Sequence, residues 1–380
     1  MPELGIGLIG SKFMGRAHSN AWMSAHRFFD LASTPAMRAV AATNADDLAE
    51  FGPRWGWART TTDWHDLLDD PSIDLVDVTT PNHLHAEQSI AALEAGKHVA
   101  CEKPLAGTLD DARRMAQAAE AASGSTSVWY SYRRVPALGL AHRMIAGGRL
   151  GRIYHVRAAY LQGWGGPDTP RVWRFDGDQA GSGALGDLGA HIVDMARFLT
   201  GDEIVEVSGA IEERFITERP LPDDPSRLAP STVDDAVLFL ARFGGGAVGS
   251  FEATRLATGV KNSNRIEIHG ESGALAFDFT HMNELKIWDA SMQPAEAGWT
   301  TIQTTHEDHP WCAAYWPDGH GLGYEHTFVN QAADIVRAID GEEPEVPLPD
   351  FADAYMTQRV LEAAVTAARR RSPVELAEIV

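Results

Sequence analysis

Three groups of residues have the types and spacing to do chemistry. In GLIGSKFMGRAH, Gly10 and Gly15 supply the outer glycines of G-x-G-x-x-G, the turn by which a strand delivers a pyrophosphate to the start of a helix, but Lys12 stands where the middle glycine belongs. The lysine has two readings, a point charge on a cofactor phosphate or a backbone N–H donor whose ammonium stays in solvent. In SGALGDLGAHIVDMARFLTG, Asp187, His191 and Asp194 share a helix face beside an apolar stripe of Leu185, Leu188, Ile192, Met195 and Leu199. An Asp one turn before a His can hold the imidazole's tautomer and support its charged form, which suits a general base. Spacing alone equally fits an acidic residue and a satisfied histidine on a helix surface. Gly186 and Gly189 cost helix stability and make sense where a ligand or another backbone comes close. Lys103, in the run Glu102, Lys103, Pro104, follows the strand-like HVAC, and strand C-termini are where open α/β sheets place ligands.

The surrounding pattern predicts the elements that carry these residues. Strands are expected over 4–9, 38–43, 73–79 and 98–101, and helices over 13–28, 45–51, 85–95 and 109–122. Thr80, Pro81 and Asn82 close the third strand as a turn, and Gly96 stops a helix. This alternation indicates βαβ units and a parallel sheet, the setting in which a helix N-terminus binds a pyrophosphate. The second strand ends Ala41, Ala42, Thr43, Asn44, with no carboxylate until Asp46. NAD-preferring folds usually place an Asp or Glu there, so nothing repels a 2′-phosphate, and Thr43, Asn44 and Lys12 could all reach one. Beyond residue 150, segments 153–161, 205–215, 236–243, 247–254 and 265–268 are strand-like, with Gly244, Gly245 and Gly246 making a hairpin turn.

Length and composition bound the function. A chain of 380 residues suggests two domains, divided here as 1–128 and 129–380. Hydrophobic content of 44% with 22% charged residues is that of a globular protein. Thirty-two basic against 53 acidic side chains give −21, which argues against nucleic acid and anionic membrane as partners. No apolar run reaches the roughly 18 residues of a membrane span, and no basic, apolar leader opens the chain, so a cytoplasmic location is expected. Cys101 and Cys312 cannot make a disulfide framework, and Cys101 reads as a small core residue. Histidines 83, 85, 320 and 326 lack H-E-x-x-H or C-x-x-C company, so no metal is expected.

The glycine loop, TPNHLHAEQSIAALEAGKHVACEKPLA, YRRVPAL and SGALGDLGAHIVDMARFLTG together resemble the glucose–fructose oxidoreductase/inositol dehydrogenase (Gfo/Idh/MocA) family over nearly the whole chain. FMGRAHSNAW, YLQGW and WRFD are similar to its sugar-ring dehydrogenases. The resemblance implies an α/β protein: an N-terminal Rossmann domain with a parallel sheet, then a C-terminal α/β domain with a large, mostly antiparallel open sheet. It implies an NAD(P)-dependent oxidoreductase transferring a hydride between a secondary alcohol of a sugar, anhydrosugar or cyclic polyol and a nicotinamide, with NAD preferred and NADP admitted by the second strand. Cofactor contacts are expected from Gly10, Lys12, Phe13, Met14, Thr43, Asn44, Thr80, Pro81, Asn82, His85, Glu102 and Lys103. Asp187 and His191 match the family's catalytic D-x-x-x-H: His191 accepts the hydroxyl proton, Asp187 stabilises the imidazolium, and Lys103, oriented by Glu102, stabilises the alkoxide. Sugar sites combine an aromatic platform with planar hydrogen-bonding groups, which singles out Tyr132, Arg133, Gln162, Trp164, Trp173, Arg174 and Tyr324. The open sheet face implies a homodimer or homotetramer. Two other activities fit the same cofactor domain: an NAD-dependent glycoside hydrolase working by transient oxidation, and a non-catalytic cofactor-binding sensor.

Overall fold

The computed structural model describes residues 2–380. The chain divides into two compact units, each discontinuous in sequence: Met1–Arg134, Pro310–Pro317 and Leu322–Tyr355 form the first, and Val135–His309, Asp318–Gly321 and Met356–Val380 the second.

In the first unit, β1 (Glu3–Ile9), α1 (Phe13–Phe28), β2 (Thr34–Ala41), α2 (Ala45–Trp55), β3 (Arg59–Thr61), α3 (His65–Leu68), β4 (Leu75–Val78), α4 (His85–Glu94), β5 (His98–Cys101), α5 (Leu109–Ala121) and β6 (Thr126–Val128) alternate. The six strands lie in the order β3-β2-β1-β4-β5-β6, all parallel. Strand order reverses between β1 and β4, and the crevice at their C-terminal ends is the place where a doubly wound sheet binds ligands. β4 is buried at every position, so its one charged residue, Asp77, sits in the centre of the core.

The second unit holds α6 (Pro136–Ala146), β7 (Ile153–Leu161), α7 (Gly177–Ala180), α8 (Ala190–Thr200), β8 (Ile204–Glu213), a small hairpin of β9 (Glu218–Pro220) and β10 (Leu228–Pro230), and β11 (Ala236–Phe243) to β12 (Val248–Thr254). There follow β13 (Ser263–Gly270), β14 (Gly273–Asp278), β15 (Glu284–Asp289) and β16 (Thr300–Gln303). Nine strands pair in the order β16-β15-β14-β13-β7-β12-β11-β8, closed at the far edge by β17 (Val374–Glu375), and every pairing is antiparallel except β12 with β7. Helices α6 and α8 pack on one face, α8 against β7 and β13 and α6 against β14 and β15, and Val237, Phe239, Phe251, Ile266 and Ile268 are buried in the sheet. On the other, Ile211, Leu238, Leu240 and Val248 are exposed beside Arg157 and Glu267.

Two later helices, α9 (Tyr324–Ile339) and α10 (Phe351–Arg370), complete the chain. α9 packs on α1 in the first unit, and its buried residues include the polar Asn330, Gln331 and Asp334 among apolar neighbours. Each such group has a fixed partner: Asn330 donates to the Arg134 carbonyl at 3.0 Å, Gln331 to the Val128 carbonyl at 2.7 Å, and Asp334 pairs with Arg134. No helix among the described residues is long and apolar enough to cross a membrane.

Candidate active site

The first unit contributes a phosphate-binding turn. Gly10 has φ +115°, and a Cβ there would stand 2.5 Å from the Thr79 hydroxyl. A Cβ on Gly15 would stand 2.4 Å from the Gly10 carbonyl, so both outer glycines are required by the fold itself. Lys12 has φ −88°, a conformation open to any residue, and so the middle position tolerates a side chain. No side chain caps α1 and no acidic residue lies in its first turn, which leaves its N–H groups available to an anion; Phe13 beside them is exposed. This arrangement fits a dinucleotide's pyrophosphate.

The Lys12 ammonium pairs with Asp47, in the first turn of α2. Asn44 is the N-cap of that helix, its side chain accepting from the Asp47 N–H at 3.0 Å, and β2 accordingly stops at Ala41 rather than at Thr43. Thr43 is exposed and Met14 half-buried in the same turn region. A carboxylate from the first turn of α2 therefore engages the Lys12 ammonium, where the end of β2 itself offers none.

At the ends of β4 and β5, the Thr80 hydroxyl donates to Gln88 at 2.7 Å, while Pro81 is half-buried and Asn82 buried. His85 is fully buried with Nε2 2.9 Å from the Thr80 carbonyl and Nδ1 3.1 Å from that of Pro104. Its ring staples two loops from within, and burial lowers its pKa. The Lys103–Pro104 bond is cis. Glu102 turns inward, and its Oε2 accepts the Lys103 backbone N–H at 3.0 Å. Its Oε1 lies 3.0 Å from Nε2 of His18, whose Nδ1 lies 3.0 and 3.1 Å from the two oxygens of Asp77. Trp22 and Trp129 donate to the same carboxylate at 2.7 and 2.9 Å. Burial alone would push the His18 pKa down; Asp77 and Glu102 outweigh it and hold it up at about 9. His18 and Asp77 escaped the sequence reading, although an aspartate inside the apolar run LVDV was a visible signal. Cys101 is buried beside them, and burial raises its thiol pKa far out of the reactive range.

Elsewhere in this unit Tyr132 and Arg133 are buried, Arg133 pairs with Asp353, and the Tyr324 ring meets Phe328 edge-on at 5.0 Å. The other residues expected to line a sugar site, Gln162, Trp164, Trp173 and Arg174, lie in the second unit.

There the D-x-x-x-H segment departs from a regular helix. Residues Leu185–Gly189 form a π turn that leads into α8, so Asp187 stands on an irregular segment, and α8 is buried on every side from Ala190 to Leu199 instead of along one stripe. The turn is held from outside: Asp234 accepts the N–H groups of Gly183 at 2.5 Å and Leu185 at 2.8 Å. A side chain at 183 would collide with the Asp234 carbonyl at 1.8 Å. Single π turns of this kind are frequent at functional sites. Gly189 faces the Leu185 side chain and Ala253 of β12, which accounts for that glycine by close packing.

Asp187 carries a partner that spacing did not reveal. The Arg255 guanidinium donates to its Oδ2 from Nη2 at 3.0 Å and Nε at 3.2 Å, and is itself only 2% exposed. A third Arg255 bond, to the Arg174 carbonyl at 3.1 Å, fixes the segment carrying Trp173, whose ring lies 4.5 Å from the Arg174 guanidinium. His191 is buried with its ring 5.8 Å from that of Tyr160. Gln162 donates to Asn262 at 2.7 Å and to the Tyr160 hydroxyl at 3.3 Å, and accepts the Trp164 indole N–H at 2.5 Å. The Trp164 indole is 38% exposed, with Arg255 5.3 Å from its ring. A half-exposed aromatic face flanked by planar amide and guanidinium groups suits a polyhydroxylated ring. Among the described residues, no group of three or more His, Cys, Asp or Glu is placed to hold a metal.

Residues 4–130 match the model of an oxidoreductase family with an NAD-binding Rossmann fold, and residues 139–276 match the Gfo/Idh/MocA C-terminal domain. The chain is 40% identical over its whole length, and that of the relative, to levoglucosan dehydrogenase of Pseudarthrobacter phenanthrenivorans. This protein belongs to the Gfo/Idh/MocA oxidoreductase family. It superposes on a crystal structure of levoglucosan dehydrogenase with NADH at a TM-score of 0.94, 42% identity and coverage of 98% and 99% of the two chains. An oxidoreductase domain protein from Kribbella flavida gives 0.95, with 52% identity over 99% of this chain and all of the other. Myo-inositol 2-dehydrogenase of Thermotoga maritima is 28% identical over 72% of this chain and 75% of that relative. The chain is an enzyme of the oxidoreductase class, and NAD is its cofactor.

The Lys12–Asp47 pair sets an expectation about that cofactor. Asp47→Asn removes a negative charge and releases the ammonium, so NADP(H) should bind at least about fivefold more tightly while NAD(H) changes by less than about twofold. Tryptophan fluorescence titration reads both. Unchanged NADP(H) affinity would show that the pair does not govern the choice.

Proposed function

We propose that this enzyme oxidises a secondary ring alcohol of an anhydrosugar or a close relative of one, in the cytoplasm, with NAD. The observation that supports it most is full-length similarity to levoglucosan dehydrogenase combined with the intact set Lys103, Asp187 and His191. Gly10, Phe13, Met14 and the α1 N-terminus would hold the pyrophosphate, with Thr43, Asn44, Thr80, Pro81, Asn82 and Lys103 contributing along the rest of the cofactor. When bound, NAD supplies the acceptor for the hydride that leaves the carbinol carbon. His191 takes the hydroxyl proton as general base. The Asp187 carboxylate stabilises the imidazolium that results, with Arg255 fixing its position and moderating its charge. Lys103 donates a hydrogen bond to the oxygen as it becomes an alkoxide. Trp164 offers a face for the sugar ring, with Gln162, Trp173 and Arg174 around it; Tyr132, Arg133 and Tyr324 are further substrate-side residues of the reading.

Levoglucosan, other anhydrosugars, aldoses and inositols should therefore be screened with NAD by NADH absorbance. At least one anhydrosugar is expected among the best substrates, and His191→Ala should lower kcat by about 10²-fold or more while leaving NADH binding unchanged. Oxidation of no ring alcohol, or full activity in His191→Ala, would contradict the reading. Sugar released from a glycoside without net NADH would identify a hydrolase instead. For assembly, the exposed Ile211, Leu238, Leu240 and Val248 support a second copy covering the open sheet face. Leu240→Glu should shift a dimer or tetramer toward monomer in analytical ultracentrifugation; a monomeric wild type would refute it.

A further inference from the structure

Asp77, His18 and Glu102 form a continuous chain of buried charge from the middle of β4 to the residue before Lys103. Both oxygens of Asp77 are filled, by the His18 Nδ1–H and by the indole N–H groups of Trp22 and Trp129. The Trp129 ring lies 4.1 Å from the His18 ring and Phe328 5.6 Å away, so no water is needed to complete the imidazole's surroundings. With an ionised Asp77 on one nitrogen and an ionised Glu102 on the other, the ring donates at both ends as the imidazolium, which is the form that two flanking carboxylates favour. Its pKa, held up at about 9, agrees. Glu102 then spends its remaining oxygen on the Lys103 N–H.

The geometry points to His18 as a positioning residue for the oxidation: through Glu102 it holds the backbone of Lys103 so that the ammonium is presented in one place. This rests on the catalytic role given to Lys103 above. Without the imidazolium, the buried Glu102 would lose the His18 partner that its Oε1 now has, and it would turn outward or take up a proton. Either response releases the Lys103 N–H. A displacement of about 1 Å in a group that touches the reacting oxygen can lower turnover on the order of 10²-fold.

A double-mutant cycle on kcat tests this, using NAD and the sugar oxidised fastest in the panel above. His18→Gln alone should lower kcat by roughly 10- to 100-fold, with the NADH dissociation constant within about threefold of wild type. Added to Lys103→Met, which already lacks the ammonium, the same change should lower kcat further by less than about threefold. A fold defect would instead multiply the two losses, and that result, or a kcat unchanged in His18→Gln, would overturn the proposal while leaving the catalytic role of Lys103 standing. Wild-type kcat in Lys103→Met would remove that role and this inference with it. Glu102→Gln keeps the shape of the site and should reproduce the His18→Gln behaviour in both backgrounds, so it takes the place of His18→Gln in the cycle if that variant fails to fold.

Discussion

The buried chain from Asp77 through His18 to Glu102 is the interaction on which the cofactor-side half of the enzyme depends. A carboxylate on the central strand of a doubly wound sheet lies in a region of low polarity, and it is tolerated only when its charge is compensated and its lone pairs are filled. Asp77 meets both conditions through one imidazole and two indoles brought in from α1 and from the segment after β6. The arrangement ties four elements together by polar contacts where apolar packing alone would leave their relative position less defined. Its last link is the Lys103 backbone, so the same set of contacts that fixes the core also fixes the end of β5.

The second unit applies the same logic to a different problem. A π turn is locally less favourable than an α-helix, and here Asp234 anchors its start by accepting the N–H of Leu185 and that of Gly183 just before it, with Gly183 making room. Arg255 then grips Asp187 while touching the Arg174 backbone, so the acid, the aromatic segment and the end of β12 are set by one buried guanidinium. On β9, Arg219 adds to this by bonding the Gly165 and Gly166 carbonyls and lying 3.7 Å from the Phe175 ring. The glycine-rich loop on either side of Trp164 is thereby tied to β9.

How much of this was legible depended on whether the cause was local. Helix α1 spans the expected 13–28 and β5 the expected 98–101, because apolar runs and glycine stops are local signals. The strands β3 and β6 have three residues each, too few to show a period. The pattern of α9 was blurred because its buried face carries Asn330, Gln331 and Asp334, whose partners Arg134 and Val128 are distant in sequence. The irregular turn at Asp187 was invisible for the same reason, since its cause, Asp234, lies 47 positions further along. Arg255 gave no signal at all: a basic residue after a strand is ordinary, and only the fold brings it to Asp187. The missing acidic residue at the end of β2 was an accurate observation whose consequence changed once α2 placed Asp47 against Lys12.

The claim on which the rest turns is that His18 is charged in the folded protein. Nitrogen-15 NMR of histidine-labelled protein, with the His18 signals assigned by their loss in His18→Gln, measures this directly. Both ring nitrogens should be protonated at neutral pH, and the ring should lose its proton only near pH 9. A single protonated nitrogen at neutral pH, with a titration near the ordinary 6.5 or below, would mean that no buried cation joins Asp77 to Glu102 and would contradict the account.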